Sequence, residues 1–175
     1  MIVLAEDARH QGLMRRYLYR LGHSPHDIRF EDLPAGRGCG EQWVRDRYAR
    51  AVKAYRQRSA RARTALIVAI DADRGDLEGR LRQLREALEH ADMAARADTE
   101  AIAHLIPRRS VETWILCLSG RPVDEIADYS QAEDVDGLIP TAALTFYAWS
   151  RVNATPPGHC VPSLLAAIPE VRRLE

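Results

Sequence analysis

The sequence predicts an α/β sandwich, with a mainly parallel central sheet covered by helices on both faces and followed by a C-terminal helical extension. Three observations carry this expectation. The runs "IVLA", "ALIVAI" and "AIAHLI" are short, densely apolar and without helical spacing, as in strands buried on both faces. The stretches between them place apolar residues at helical spacing. The two kinds of segment alternate along the first 120 residues, which is how a parallel sheet with helical crossovers is built.

Taken in order, "MIVLA" is a strand starting at the first residue, and Glu6 stands at its end. Leu13, Tyr17, Leu18 and Leu21 then mark a helix, which Gly22 stops. "DIRFEDL" alternates like a second strand, and "PAGRGCG" is a turn. From Glu41 to about Arg58, Val44, Tyr48, Ala51, Val52 and Tyr55 form the apolar side of a long helix. The third strand runs into Asp71. Leu77, Leu81, Leu84 and Leu88 form the next helical stripe, with Asp76 placed to cap it. "EAIAHLIP" reads as a fourth strand closed by Pro107, and "SVETWILCLSG" as a helix ended by Gly120. Beyond it, Pro122, Pro140, Pro156, Pro157, Pro162 and Pro169 break the chain into short helical pieces, "TAALTFYAWSRV" being the clearest.

The 175 residues suffice for one well-buried domain with a small appendage, and 46% apolar content argues against disorder. No apolar run approaches the ~20 residues that span a bilayer, and the first residues lack a signal-peptide pattern. Cys39, Cys117 and Cys160 form no CxxC pair, so a reduced, cytoplasmic protein without membrane association is expected. The formal net charge is zero, yet Gly36 to Arg63 holds nine Arg or Lys against two acids. Much of the balancing negative charge lies in "VDEIADYSQAEDVDG", Val123 to Gly137. A basic helix of this kind suits a polyanionic partner, or is simply a solvated helix face.

The stretch "TALIVAIDADRGD", Thr64 to Asp76, carries the chemistry. Residues at i and i+2 of a strand project the same way, so Asp71 and Asp73 are expected side by side. Adjacent carboxylates repel unless a cation lies between them, and the usual one is a divalent metal. Strand-end groups of a parallel sheet gather in one crevice, which adds Glu6 as a third ligand or as a general acid/base. The structural alternative is that the two aspartates cap a helix or pair with Arg74 and Arg80. The remaining features are weaker. "GRGCG", Gly36 to Gly40, could cradle a phosphate but has neither GxGxxG nor P-loop spacing. His23 and His26 suggest surface rather than a zinc site, and Trp43, Trp114 and Trp149 suggest core. Tyr48 and Tyr55 on the basic helix could stack on bases.

The strand-end glutamate in "LAEDARH" and the strand-end DxD in "AIDADRG" together resemble the Toprim superfamily. The likeness spans Met1 to Gly120 and is nearest to small stand-alone or OLD-like nucleases, in which a P-x-x-x-x-E-x-W stretch follows the core. "PRRSVETWIL", Pro107 to Leu116, is similar. The resemblance implies a Toprim-like, Rossmann-like metal-binding domain over residues 1–120, with 121–175 as a mostly helical extension packed on it. It implies a Mg²⁺- or Mn²⁺-dependent nuclease in a prokaryotic anti-phage or mobile-element defence system, with nucleic acid as partner, DNA being expected before RNA. No GxxxxGK[ST] motif occurs, so an ATPase partner would be a separate chain. Glu6, Asp71 and Asp73 would hold the metal and carry catalysis, with Glu112 assisting. Arg74, Arg108 and Arg109 would meet the scissile phosphate, while Arg45, Arg50 and Lys53 would track the backbone. Two positions depart from the family pattern: Asp7 stands where glycine is usual, and His10 where many members have a second acid. Histidine suits Mn²⁺ better than Mg²⁺ as a ligand. The competing classes are a non-catalytic binding or regulatory subunit and a small-molecule phosphohydrolase. The dehalogenase-type DxDx[TV] nucleophile motif fits less well, since Arg74 stands at its Thr/Val position.

Overall fold

The computed structural model describes residues 1–33, 40–73 and 75–174. Four strands, β1 (Ile2–Ala5), β2 (Arg29–Phe30), β3 (Leu66–Ala69) and β4 (Ile102–Leu105), form one sheet in the order β2-β1-β3-β4. All three pairings are parallel, with Ile2 opposite Leu66 and Leu66 opposite Ile102. The order explains the run of buried residues, because β1 and β3 are covered on both edges and both faces. Alternate residues serve the two layers. Ile2, Leu4, Leu66, Val68 and Ile102 pack against α2 (Gly40–Ser59) and α3 (Leu77–Glu89). Val3, Ala5, Ile67, Ala69 and Leu105 pack against α1 (Ala8–Arg20), α4 (Val111–Leu118), α5 (Val135–Ser150) and α6 (Pro162–Arg172).

The chain leaves β1 toward β2 on one side and leaves β3 toward β4 on the other. The direction of winding therefore reverses between β1 and β3. At such a reversal the connections after the two strands part, and a crevice opens beyond their carboxyl ends. Glu6 and Asp71 follow those two ends.

The structure differs from the sequence expectation in two places. "DIRFEDL" contributes only Arg29–Phe30 as strand, because this segment pairs with β1 alone and buries only Ile28. The last third is less fragmented than its prolines suggest, since α5 runs 16 residues through Pro140 and α6 runs 11 through Pro169. An interior proline costs roughly 3 kcal/mol. Burial of Ile139, Ala142, Ala143 and Phe146 on α5, and of Leu164, Ile168 and Val171 on α6, offsets that cost.

The outer edge of β4 is covered by polar groups from α6 and the segment before β4. His104 N–H donates to Glu170 Oε2 (2.8 Å), and Arg96 Nη1 donates to Ile102 O (2.9 Å) while ion-paired with Glu170. The pair satisfies backbone groups that an open edge would offer to another strand. Among the described residues, no helix is long and apolar enough to cross a membrane.

Candidate active-site cleft

The backbone alone brings Glu6 and Asp71 together. Beyond the last paired residues the ladder continues, with Glu6 N–H donating to Ala69 O (3.0 Å) and Ala72 N–H to Pro107 O (2.8 Å). Glu6 then turns its carboxylate across the gap, and Oε2 accepts the N–H of Asp71 at 2.9 Å. Gly40, the first residue of α2, sits against Glu6 so closely that a Cβ there would lie 2.6 Å from Glu6 Cγ. Only glycine permits that approach.

Asp7 caps α1: its Oδ1 accepts the N–H of His10 at 2.9 Å. The cap fixes His10, which is 2% exposed and lies between two acids. Its Nδ1 is 3.0 Å from Asp7 Oδ1 and its Nε2 is 3.1 Å from Asp71 Oδ1. The second contact is an ion pair without hydrogen-bond alignment, which leaves Asp71 Oδ1 buried and lacking a hydrogen-bond partner. Burial by itself would lower the affinity of His10 for a proton. The carboxylates of Asp71 and Asp7 reverse this and hold it well above the ordinary histidine range. Both ring nitrogens thus face acids, and the protonated ring places positive charge between Asp7 and Asp71.

The acids are perturbed in opposite senses. Burial pushes Glu6 up to about 7, and the Asp71 charge adds to the rise. Burial pushes Asp71 up to about 6 against the pull of His10. Burial also tends to raise Asp7, but its bond to His10 wins and holds it well below the usual carboxylate range. Glu6 is therefore near half-protonated at neutral pH, while its neighbours are ionised.

Asp71 and Asp73 line the same cleft, of about 590 Å³, but are not a side-by-side strand pair. Regular strand ends at Ala69, and the chain turns through a left-handed conformation at Asp73 (φ 55°). Asp71 consequently meets His10, whereas Asp73 meets Arg80 at 3.2 Å. Arg80 is 5% exposed and is also ion-paired with Glu41 at the start of α2. The capping alternative belongs to Asp76, whose Oδ1 accepts the N–H of Gly79.

Glu112 reaches the cleft from the first turn of α4, buried and paired with Arg9 Nη1 at 2.6 Å. Arg109 and Ser110 line the same wall. Arg109 makes no hydrogen bond or ion pair with a described residue, although it acts electrostatically on Asp73 and Asp128. Arg108 is exposed just outside, its N–H held by Ser163 Oγ. The α2 residues lie farther off. Arg45 is tied to Glu41 at 3.2 Å, while Arg50 and Lys53 are exposed roughly 15 and 20 Å along the axis from Gly40. Tyr48 and Tyr55 are not available to stack on bases, because both are buried. Tyr48 Oη contacts His104 Nε2 (2.9 Å), and Tyr55 Oη accepts the N–H of Ala101 (2.8 Å). Trp114 is core as expected, whereas Trp43 is half-buried beneath Arg47 and Trp149 is half-buried against His159. Arg74 and most of "GRGCG" lie outside the described residues.

Among the described residues no three His, Cys, Asp or Glu side chains form a ready-made metal cluster. The donor set nevertheless fits a hard divalent cation. Glu6 and Asp71 present oxygens, burial raises the pKa of both carboxyls, and Asp71 Oδ1 has no hydrogen-bond partner among the described residues. The sequence pointed to Glu6, Asp71 and Asp73, and to Arg80 as a partner of the aspartates, which Asp73 does meet, but not to Arg9 or Ser110. The one available signal for the clamp was Asp7 three residues before His10, the spacing of a helix cap.

Compared with family models, curated proteins and solved structures, the chain matches none.

Proposed function

We propose that this protein is a metal-dependent nuclease that cleaves nucleic-acid phosphodiesters at the crevice between β1 and β3. The observation that carries the reading is the junction of Glu6 with Asp71. A half-buried and a buried carboxyl from the ends of two strands meet at the point of chain reversal, and both have raised pKa values, a combination that costs stability and is characteristic of functional sites. Glu6 and Asp71 would hold Mg²⁺ or Mn²⁺, with Asp73 at the cleft rim. Such a cation, when bound, supplies charge that stabilises the oxygens of a phosphoryl group in displacement. As the alternative to ligating the ion, Glu6, which burial raises to about 7, can take a proton from water or return it. Glu112 is held at the wall by Arg9, and Arg109, which has no ion pair among the described residues, offers its guanidinium to phosphate. The setting implied by the Toprim resemblance is prokaryotic defence against phage or mobile elements, with a separate ATPase chain as partner.

One observation favours a second reading, a non-catalytic binding subunit. His10 already supplies positive charge to Asp7 and Asp71, the part a metal plays elsewhere. The two readings separate in one experiment. Wild type and Asp71→Asn are incubated with single-stranded, double-stranded and supercoiled DNA and with RNA, in Mg²⁺, Mn²⁺ or EDTA. Cleavage by wild type alone, abolished by EDTA, supports the nuclease. Equal background from both proteins, with nucleic-acid binding retained in EDTA, leaves the binding subunit.

A further inference from the structure

The mouth of α4 has the features of an anion site that the acidic residues do not explain. Ser110 occupies the N-cap position, where a serine hydroxyl ordinarily accepts a backbone N–H of the first turn. Here it makes no such bond. Ser110 is 9% exposed, lines the cleft, and its Oγ has no hydrogen-bond partner. An orphaned buried hydroxyl costs free energy unless something else satisfies it. The N–H groups of Val111 and Glu112 likewise have no partner among the described residues, as the first amides of a helix do not. Arg109, adjacent in sequence, lines the same wall, and its guanidinium makes no hydrogen bond or ion pair with a described residue. A hydroxyl, two amides and a guanidinium thus converge as donors. Five acids share the cleft, and four of them are paired: Glu112 with Arg9, Asp7 and Asp71 with His10, and Asp73 with Arg80. Asp128 is the fifth, and it feels Arg109 only through the field of the guanidinium.

The geometry points to a phosphate seat at the start of α4. Ser110 Oγ–H, the Val111 and Glu112 N–H groups and the Arg109 guanidinium would grip the phosphate of a phosphodiester, facing Asp71 and Asp73 across the cleft. This deepens the proposed nuclease and rests on that reading for the choice of a diester. Tetrahedral oxyanions suit the free amides and partial positive charge of a helix start. The seat is braced from behind, because Ser163 at the start of α6 accepts both Arg108 N–H (3.3 Å) and Trp114 Nε1–H (2.7 Å). The C-terminal extension thereby fixes where α4 begins.

The test uses the full chain, ¹⁵N-labelled and stripped of divalent ions, titrated with inorganic phosphate at constant ionic strength and then with a thymidine dinucleotide. Saturable amide shifts at Val111 and Glu112 with both probes are expected. Ser110→Ala and Arg109→Gln should each weaken binding by about tenfold, the worth of one charge-assisted hydrogen bond, while Arg16→Gln should not. Far-UV melts confirm that the variants fold, and Arg109→Gln leaves the cap position untouched if Ser110→Ala does not fold. Shifts scattered over α2, or affinities unchanged in both variants, overturn the seat. Binding of inorganic phosphate without the dinucleotide overturns its assignment to a diester. Cleavage lost in Asp71→Asn but intact in Ser110→Ala and Arg109→Gln overturns the seat and spares the nuclease. Binding at α4 by a protein that cleaves nothing supports the seat and sinks the nuclease.

Discussion

Glu6 is held where it destabilises the fold, and replacing it should make the protein more stable at neutral pH. Its pKa rises from 4.5 to about 7 on folding, so the folded state binds the proton more tightly than the unfolded chain. Stability is then fully present below about pH 4.5 and is lost as pH rises toward 7. Each pH unit of that rise is worth about 1.4 kcal/mol, so ionised Glu6 costs about 3 kcal/mol above neutrality. Glu6→Gln keeps an oxygen that can accept the Asp71 N–H and removes the charge. At pH 7.5 the variant should melt roughly 6–12 °C above wild type, given about 2–4 °C per kcal/mol for a chain of this size. At pH 4.5 the two should coincide. Calorimetric or circular-dichroism melts across this range, with divalent ions removed, make the comparison. A variant less stable than wild type by the same margin at both pH values would refute the reasoning, because it would show the carboxylate to be a structural partner rather than a strained one.

Three further outcomes follow from the same geometry. Millimolar Mg²⁺ or Mn²⁺ should raise the melting temperature of wild type but not of Asp71→Asn, since a ligand bound only by the folded state stabilises it in proportion to the logarithm of its concentration; equal shifts in both would place the ion elsewhere. His104 is buried, and burial lowers it to about 3, with Arg96 adding to the effect. The unfolded chain thus binds the extra proton between pH 6.5 and 3, and stability should fall across that window by as much as ~5 kcal/mol. Urea melts of His104→Leu should show a flatter acid limb than wild type, and parallel limbs would count against the buried neutral imidazole. Gly40→Ala would set a methyl 2.6 Å from Glu6 Cγ and 2.8 Å from Glu6 O, forcing the start of α2 or Glu6 to move. A loss of about 1–3 kcal/mol by denaturant melts is expected, together with loss of the divalent-ion stabilisation.

The layered α/β fold was legible because periodicity reports burial. Val44, Tyr48, Ala51, Val52 and Tyr55 predicted α2 to within a residue of its observed ends, and the apolar runs predicted β1, β3 and β4. The length of β2 was not legible, since an edge segment has only one neighbour to hold it and its alternation says nothing of where pairing stops. In the cleft, the strand-end acids were visible as residue types at element boundaries. Of their partners, Arg80 was visible as a nearby cation and does pair with Asp73. Arg9 and Ser110 were not, because they act through contacts between α1, α4 and the strand ends, and those distances are set by tertiary packing rather than by local sequence. The expectation that Asp71 and Asp73 project together failed for a comparable reason, because strand alternation ends where the ladder does and Asp73 lies in a left-handed turn.

The polar cover on β4 also bears on how the protein is made. Glu170 follows His104 by 66 residues, so at roughly 5–20 residues per second a ribosome needs several seconds to deliver it after β4 has emerged. Through that interval the His104 N–H on the edge of β4 waits for its acceptor, and another chain on the same polysome offers one. Recovery of folded protein from a cell should therefore respond to translation speed, temperature and chaperone supply during those seconds. Conditions that shorten the exposure should raise the yield without changing the finished molecule.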